Sequence, residues 1–173
     1  MKKSILSAVI VLSALGGAAL NANAANGEVN FIGAVTATTC DLTPEVGGSI
    51  SNMVQLGTAG TSSDATAVEF VLKPDASQSG CNSLIESNVA QISWGGQFNA
   101  TGLENQGGTA TDAWVQLTSV NAKTPGNITS SALTSEFAGD KIKSEGAKFK
   151  AVLKGGSTPG DYKSAAAFVV AYK

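Results

Sequence analysis

The feature that most constrains the fold of this chain is a period of two in its apolar residues. Alternation of apolar and polar positions is typical of half-buried β-strands, whereas the spacing of an amphipathic helix is nearly absent. Seven segments show the alternation, at positions 28–37, 52–56, 67–73, 89–94, 113–119, 147–153 and 166–172. The pattern predicts an all-β antiparallel sandwich of the immunoglobulin-like kind, with a closed barrel as the alternative.

The segments between these predicted strands are typical of turns. Gly, Thr, Ser and Asn are frequent in positions 58–65, 99–111 and 121–131, and Pro159-Gly160 precedes the last strand. Such residues favour turns because they tolerate unusual backbone angles or hydrogen-bond to their own backbone. We expect a single helical turn within positions 79–87, and we find no internal repeat or interdomain linker.

The N-terminus has the organisation of a secretory signal peptide. Lys2 and Lys3 form a positive start, an apolar stretch covers positions 5–20, and Ala22-Asn23-Ala24 supplies the small residues of a cleavage site. The apolar stretch is shorter than the ~20 residues that a membrane-spanning helix needs. We therefore expect cleavage after Ala24 and a mature chain that carries 9 Lys and 13 acidic residues.

The chain contains two cysteines, Cys40 and Cys81, and export makes their oxidation permissible. They do not form a Cys-x-x-Cys motif, and no His is present to activate a thiolate. We predict one structural disulfide. In the chain-entropy account, closing a loop of this length stabilises the fold by roughly 4 kcal/mol.

Composition argues against several classes of function. The 11 basic residues are all Lys, they are outnumbered by 13 acidic residues, and His is absent. A nucleic-acid-binding protein needs a basic face, which this balance does not supply. Without His the chain lacks the commonest general base and metal ligand, and no phosphate-binding or nucleophile-elbow motif occurs. We expect no enzymatic activity, no metal site, no cofactor and no nucleic-acid partner.

The two ends of the expected mature chain carry a more specific signal. The features are the run Gly27-x-Val29-x-Phe31-x-Gly33, the spacing of Cys40 and Cys81, the box Val54-Gln55-Leu56-Gly57, Gly160 as the fourteenth residue from the C-terminus, and Tyr172 as the penultimate residue. As an ordered set they resemble the subunits of chaperone–usher fimbriae, the pilins of Gram-negative bacteria. The likeness spans the mature chain and is greatest to major shaft subunits of enterotoxigenic animal-type fimbriae.

That resemblance implies an incomplete immunoglobulin-like sandwich, which a strand donated by a neighbouring subunit completes. In such pilins a periplasmic chaperone lends a strand first, and the N-terminal segment of the next subunit then replaces it. The donor residues here would be Gly27, Val29 and Phe31. The acceptor groove, which the chaperone also recognises, would be edged by the C-terminal strand with Gly160, Ala166, Phe168, Val170 and Tyr172.

The resemblance also implies a division of the chain into a signal peptide (1–24), a donor-strand segment (25–36) and a pilin domain (37–173). We expect a structural major subunit, exported through the periplasm to a surface fimbrium that supports adhesion to host cells. Its partners would be its own copies, a periplasmic chaperone, an outer-membrane usher and a host glycan receptor. Two alternatives stay open: a minor or adhesive fimbrial subunit, and a secreted carbohydrate-binding sandwich that uses Trp94, Trp114 and Tyr162 as sugar platforms.

Overall fold

The chain forms two antiparallel β-sheets packed on one another. The computed structural model describes residues 33–35 and 40–173, and every structural feature given for the chain lies within them. In chain order the elements are β1 Leu42–Val46, β2 Ser49–Ile50, β3 Val68–Pro74, α1 Ser79–Asn82, β4 Val89–Gly96, β5 Leu103–Glu104, β6 Trp114–Ser119, β7 Gly126–Ile128, β8 Thr134–Ala138, α2 Gly139–Glu145, β9 Ala147–Lys154 and β10 Ala166–Tyr172.

The strands divide unequally between the two sheets. The larger sheet has the order β2-β1-β3-β9-β6-β5, and β7 also pairs with β6. The smaller sheet has the order β10-β4-β8. All neighbouring pairs are antiparallel. Two sheets with free edges confirm the predicted all-β sandwich and exclude the closed barrel.

An aromatic cluster joins the sheets at the centre of the core. Phe70 and Phe149 from the larger sheet are stacked with their ring centroids 5.6 Å apart. Trp94 and Phe137 reach Phe149 from the smaller sheet at 5.2 and 5.6 Å, both edge-on. Phe168 of β10 lies 5.7 Å from Trp94 at the side of the cluster. Edge-on and offset contacts of this kind stabilise a core beyond the area that they bury.

Alternation along the strands decides which residues face this core. In β9, Ala147, Phe149 and Ala151 are buried while Lys148 and Lys150 point outward. The predicted segments 67–73, 89–94, 113–119, 147–153 and 166–172 all coincide with strands, to within two residues at each end. The helical turn expected within positions 79–87 is α1. Strong alternation over six or more residues therefore located the central strands.

The prediction of a strand at 52–56 is wrong. No residue between positions 52 and 60 belongs to a strand, although Val54 and Leu56 pack in phase against the core as expected. A strand requires a hydrogen-bonded neighbour, and this segment has none among the described residues. Of the predicted segment 28–37, only residues 33–35 are described, and they form no regular structure.

Several elements were not expected from the sequence. They are β1, β2, β5, β7, β8 and α2. In β8 only Ser135 and Phe137 face inward, so one large apolar side chain gives no visible alternation. The seven residues of α2 contain a single buried large apolar side chain, Ile142. The short β5 and β7 form where predicted turns run beside β6.

The predicted disulfide between Cys40 and Cys81 is present, with the two Cα atoms 4.7 Å apart. It joins Cys40, which lies two residues before β1, to Cys81 on the buried face of α1. Both cysteines are almost fully buried in the core cluster. The disulfide therefore fixes the start of the larger sheet against the loop that leads into β4.

Candidate functional site

Strand β10 leaves one of its edges open. Along its whole length β10 pairs with β4, and the amide and carbonyl of Lys173 both bond to Val89 at 2.9 Å. In an antiparallel ladder the bonded pairs alternate, so Ala166, Phe168 and Val170 direct their backbone groups away from β4. No described strand lies on that side. An unpaired row of this kind is a template for another strand.

A groove with an apolar floor runs beside this open edge. It encloses a cavity of about 290 Å³. One rim carries Ala166 and Phe168, and the opposite rim carries Val54 and Leu56. The floor comes from both sheets and consists of Phe70, Leu72, Trp94, Leu103, Val115, Leu117 and Ala151. The groove therefore opens into the core between the two sheets.

The groove continues into a wider cavity of about 500 Å³. Val54, Leu56 and Tyr162 line both cavities, so the two spaces adjoin. The wider cavity is bounded on one side by residues 53–61 and on the other by residues 155–162, with Ala110 and Ala113 beside them. Small residues and exposed backbone predominate there, in contrast to the apolar floor of the narrower part.

The rim formed by residues 53–61 also has few backbone partners among the described residues. Met53 donates its amide to the Ser51 hydroxyl at 3.1 Å, and the next amide that donates is Ser62, to the Gly156 carbonyl at 2.9 Å. Between them no backbone amide donates to another described residue. Two rims with free backbone groups thus face each other across an apolar floor.

The opposite rim of the wider cavity is held by two aspartates that the sequence did not single out. Asp112 accepts hydrogen bonds from the Ser157 amide (2.6 Å), the Ser157 hydroxyl (2.7 Å) and the Thr158 amide (3.1 Å). Asp161 accepts from the Thr109 hydroxyl (2.8 Å) and the Thr109 amide (3.1 Å). These donors, the hydroxyls foremost, hold the pKa of both carboxyls well below their usual range.

The structure places the predicted acceptor residues at different distances from the groove. Ala166 and Phe168 line it directly, while Val170 packs against the core on the same face of β10. Gly160 lies before the strand and lines the wider cavity, where a Cβ atom would overlap the Thr109 hydroxyl. The predicted donor residues Gly27, Val29 and Phe31 lie outside the described residues.

Tyr172 is an internal anchor of β10. Its side chain is 7% exposed, and its hydroxyl donates to the Cys40 carbonyl at 2.8 Å. Burial, with a smaller contribution from Asp41, raises the pKa of the Tyr172 hydroxyl well above its usual value. The C-terminal strand is thereby tied to the disulfide.

The three aromatic residues considered as sugar platforms do not share a surface. Trp94 is 7% exposed in the groove floor. Tyr162 is half-buried and donates its hydroxyl to the Leu103 carbonyl at 3.0 Å. Trp114 lies on the outward-facing side of β6 with its ring against Gly102. A stacking platform needs an exposed ring face, which Trp94 does not offer.

The described residues contain no group of three or more acidic, Cys or His residues placed to hold a metal ion. None of their helices is long and apolar enough to cross a membrane.

Comparison with known proteins identifies the family. No protein-family model matches the chain. The F107 fimbrial protein of Escherichia coli is 42% identical over 174 residues, an alignment that covers 100% of both chains. The K99 fimbrial protein of Escherichia coli is 33% identical over 186 residues, covering 99% of each. The chain therefore belongs to the family of fimbrial subunits that includes the F107 and K99 fimbrial proteins of Escherichia coli.

Proposed function

We propose that this chain is the structural major subunit of a chaperone–usher fimbria and polymerises by donor-strand exchange. The proposal depends above all on the groove between β10 and residues 53–61. Both of its rims carry unpaired backbone groups, and its floor reaches the aromatic core. One inserted strand would bond to β10 and cover that floor at the same time. The role is structural and requires no catalysis.

The occupant that we propose is residues 25–36 of a second copy of this chain. Gly27, Val29 and Phe31 fall on one face of an extended strand, and Glu28 and Asn30 fall on the other. The first face suits the apolar floor, and the second suits solvent. A slip of one residue would place Glu28 and Asn30 against the floor, so the alternation also specifies the register.

Two kinds of interaction would stabilise an inserted strand. Burying a Val or a Phe side chain contributes roughly 1.5–3 kcal/mol each. Each backbone hydrogen bond formed along β10 adds about 0.5–1.5 kcal/mol net. Ordering a short segment costs conformational entropy in its backbone and side chains. The burial and hydrogen-bond contributions can exceed that cost only if the strand pairs along most of β10. The segment has twelve residues and β10 has seven, so the segment is long enough to pair along the whole of β10.

The route to the surface that we propose is supported by the N-terminal sequence and by the resemblance to pilins. Residues 1–24 would direct export and be removed, residues 25–36 would form the donor strand, and residues 37–173 would form the pilin domain. An open edge invites aggregation, so a periplasmic chaperone would cover β10 until an outer-membrane usher presents the next subunit. The product would be a cell-surface fimbrium that supports adhesion to host cells, with a host glycan as its receptor.

Electron microscopy of sheared surface fibres separates a major subunit from a minor one. We expect deletion of this chain in a fimbriated strain to remove the fibres, and expression of the chain from a plasmid to restore them. Fibres of normal number and length in the deletion strain would contradict the role of major subunit.

Peptide binding tests strand exchange itself. With Trp114→Phe, Trp94 in the groove floor becomes the sole tryptophan and reports on groove filling. A peptide of residues 25–36 should shift its emission, whereas the same peptide with Phe31→Asp should not. An equal response to both peptides would contradict the proposed register.

A further inference from the structure

We infer that Asp112 and Asp161 are positioning residues that hold one wall of the groove, residues 155–162, in the shape that accepts a strand. The facing wall, residues 53–61, stays adaptable. The inference rests on the proposed function, because the strand from a second copy is the occupant for which the wall is held. Neither residue is expected to contact that strand through its carboxylate, since each carboxylate is already engaged with the opposite loop.

The two aspartates join the same pair of loops, the one before β6 and the one before β10. Each aspartate lies in one loop and accepts hydrogen bonds from the other. Asp112 precedes β6 and reaches the loop before β10, at Ser157 and Thr158. Asp161 lies in that second loop and reaches back to Thr109, whose hydroxyl in turn accepts the Asp161 amide at 3.2 Å. The arrangement is reciprocal, so loosening one aspartate leaves the other still joining the loops.

Backbone contacts make the same wall tight. The Ala110 amide donates to the Asp161 carbonyl at 3.1 Å. The Asn105 side chain bonds to the Ala110 carbonyl at 2.7 Å and to the Gly108 amide at 2.8 Å. A Cβ atom at Gly108 would overlap the Asp161 carbonyl oxygen, and one at Gly156 would overlap the Asp112 carboxylate. At Gly108 the loops approach so closely that only glycine fits, and at Gly156 any side chain would displace the Asp112 carboxylate.

The facing wall is reinforced in this way only at its end, where the Gly60 carbonyl accepts the Ser63 amide at 3.2 Å and packs against Gly155. Residues 54–59 make no backbone amide bond to a described residue, and among them Val54 and Leu56 pack against the core. Gly57, at φ +72°, lies in the middle of the segment. A segment with few hydrogen bonds opens at low free-energy cost, whereas one with many does not. We expect an inserted strand to dock against the fixed wall and residues 53–59 to close over it.

Replacing each aspartate by asparagine should affect the two residues differently, because they use their carboxylate oxygens differently. In Asp112→Asn an NH₂ group must face one of the N–H donors of Ser157 or Thr158, because both carboxylate oxygens of Asp112 accept from backbone amides. In Asp161→Asn the single oxygen that serves Thr109 survives, and the other oxygen loses the Lys163 ammonium, 3.1 Å away. We expect Asp112→Asn to weaken peptide binding about tenfold and Asp161→Asn to weaken it less.

The matched control is Asp75→Asn. Asp75 accepts from the Ser77 amide (2.9 Å) and hydroxyl (2.7 Å), the same pattern as Asp112 with Ser157, but it lies in the loop before α1 and lines neither cavity. All variants are made in the mature chain carrying Phe31→Asp, which disables self-donation, and Trp114→Phe. The readout is Trp94 emission on titration with the peptide of residues 25–36.

Hydrogen exchange provides a second readout, and it covers the case in which Asp112→Asn folds poorly. Thr109→Val keeps the shape of the side chain and removes the hydroxyl bond to Asp161, so it should give a smaller loss of peptide binding. In the parent chain, the amides that bond to side chains of the neighbouring loop should exchange slowly, namely those of Ser157, Thr158, Asp161 and Lys163. Amides 54–59 should exchange quickly, and the peptide should slow only this second group.

The outcomes distinguish the inference from the function on which it rests. Weakened binding in Asp112→Asn with normal binding in Asp75→Asn supports the inference. Normal binding in Asp112→Asn and Thr109→Val overturns it and leaves strand exchange standing. Fast exchange in the parent chain at the bonded amides of Ser157, Thr158, Asp161 and Lys163 does the same. Failure of the parent chain itself to bind the peptide overturns the proposed function and the inference together.

Discussion

The hydroxyl of Tyr172 offers a sharp test of how the C-terminal strand is held. Tyr172→Phe keeps the buried ring and removes one oxygen, which donates to the Cys40 carbonyl at 2.8 Å. Because the side chain is only 7% exposed, water cannot easily replace that donor. The Cys40 carbonyl would then be buried without its partner, next to the disulfide.

The cost of the substitution follows from that burial. Leaving a buried acceptor unsatisfied costs roughly 1–3 kcal/mol. In a chain of this size such a loss lowers the thermal midpoint by roughly 3–9 °C. Tyr162→Phe is the matched control, since its hydroxyl also donates to a backbone carbonyl, that of Leu103, but the side chain is only half-buried. There water can take over the bond, and we expect a loss below about 1 kcal/mol.

Urea denaturation of wild type and both variants at neutral and alkaline pH measures these differences. Burial raises the folded-state pKa of Tyr172, so its contribution is complete below the unfolded pKa near 10 and declines as pH rises above it. The gap in unfolding free energy between wild type and Tyr172→Phe should therefore narrow above about pH 10. Equal losses for Tyr172→Phe and Tyr162→Phe, or a gap that does not change with pH, would refute the reasoning.

Three further changes to the chain test the disulfide, the donor strand and the end of β10. Cys40→Ser should lower the unfolding free energy by about 4 kcal/mol in urea denaturation and reduce periplasmic levels, and normal abundance would contradict a structural disulfide. Phe31→Asp should leave a folded, chaperone-bound subunit that forms no fibres by electron microscopy, while Asn30→Asp, on the other face, should still form fibres. Deleting residues 171–173 should abolish recovery of the subunit with its periplasmic chaperone in a pull-down, and recovery at wild-type yield would show that the chaperone does not require the end of β10.

The sequence predicted the central strands because their alternation is long and their inward residues are large. It failed at residues 52–56 for an instructive reason. Val54 and Leu56 do pack inward as the pattern indicates, but alternation reports only which side chains are buried, and a strand also needs a backbone partner. Under the proposed function, that partner belongs to another subunit.

The walls of the groove could not be predicted from the sequence. Asp112 binds Ser157 and Asp161 binds Thr109 across separations of 45 and 52 residues, and isolated aspartates in polar loops give no signal of such pairing. The open edge of β10 is likewise a property of the sheet order. The resemblance to pilins suggested an acceptor at Ala166 and Phe168, and both residues line the groove.

In the proposed function, the groove binds a strand from another copy of the chain. Fusing residues 25–36 to the C-terminus through a short flexible linker supplies that strand within one molecule. We predict a monomer in size-exclusion chromatography, with a thermal midpoint at least roughly 6 °C above that of the unfused chain, since two buried side chains contribute roughly 3–6 kcal/mol. A fusion whose appended copy carries Phe31→Asp should lose most of that gain. A fusion no more stable than the unfused chain, or an unfused chain that is already a stable monomer, would contradict the claim.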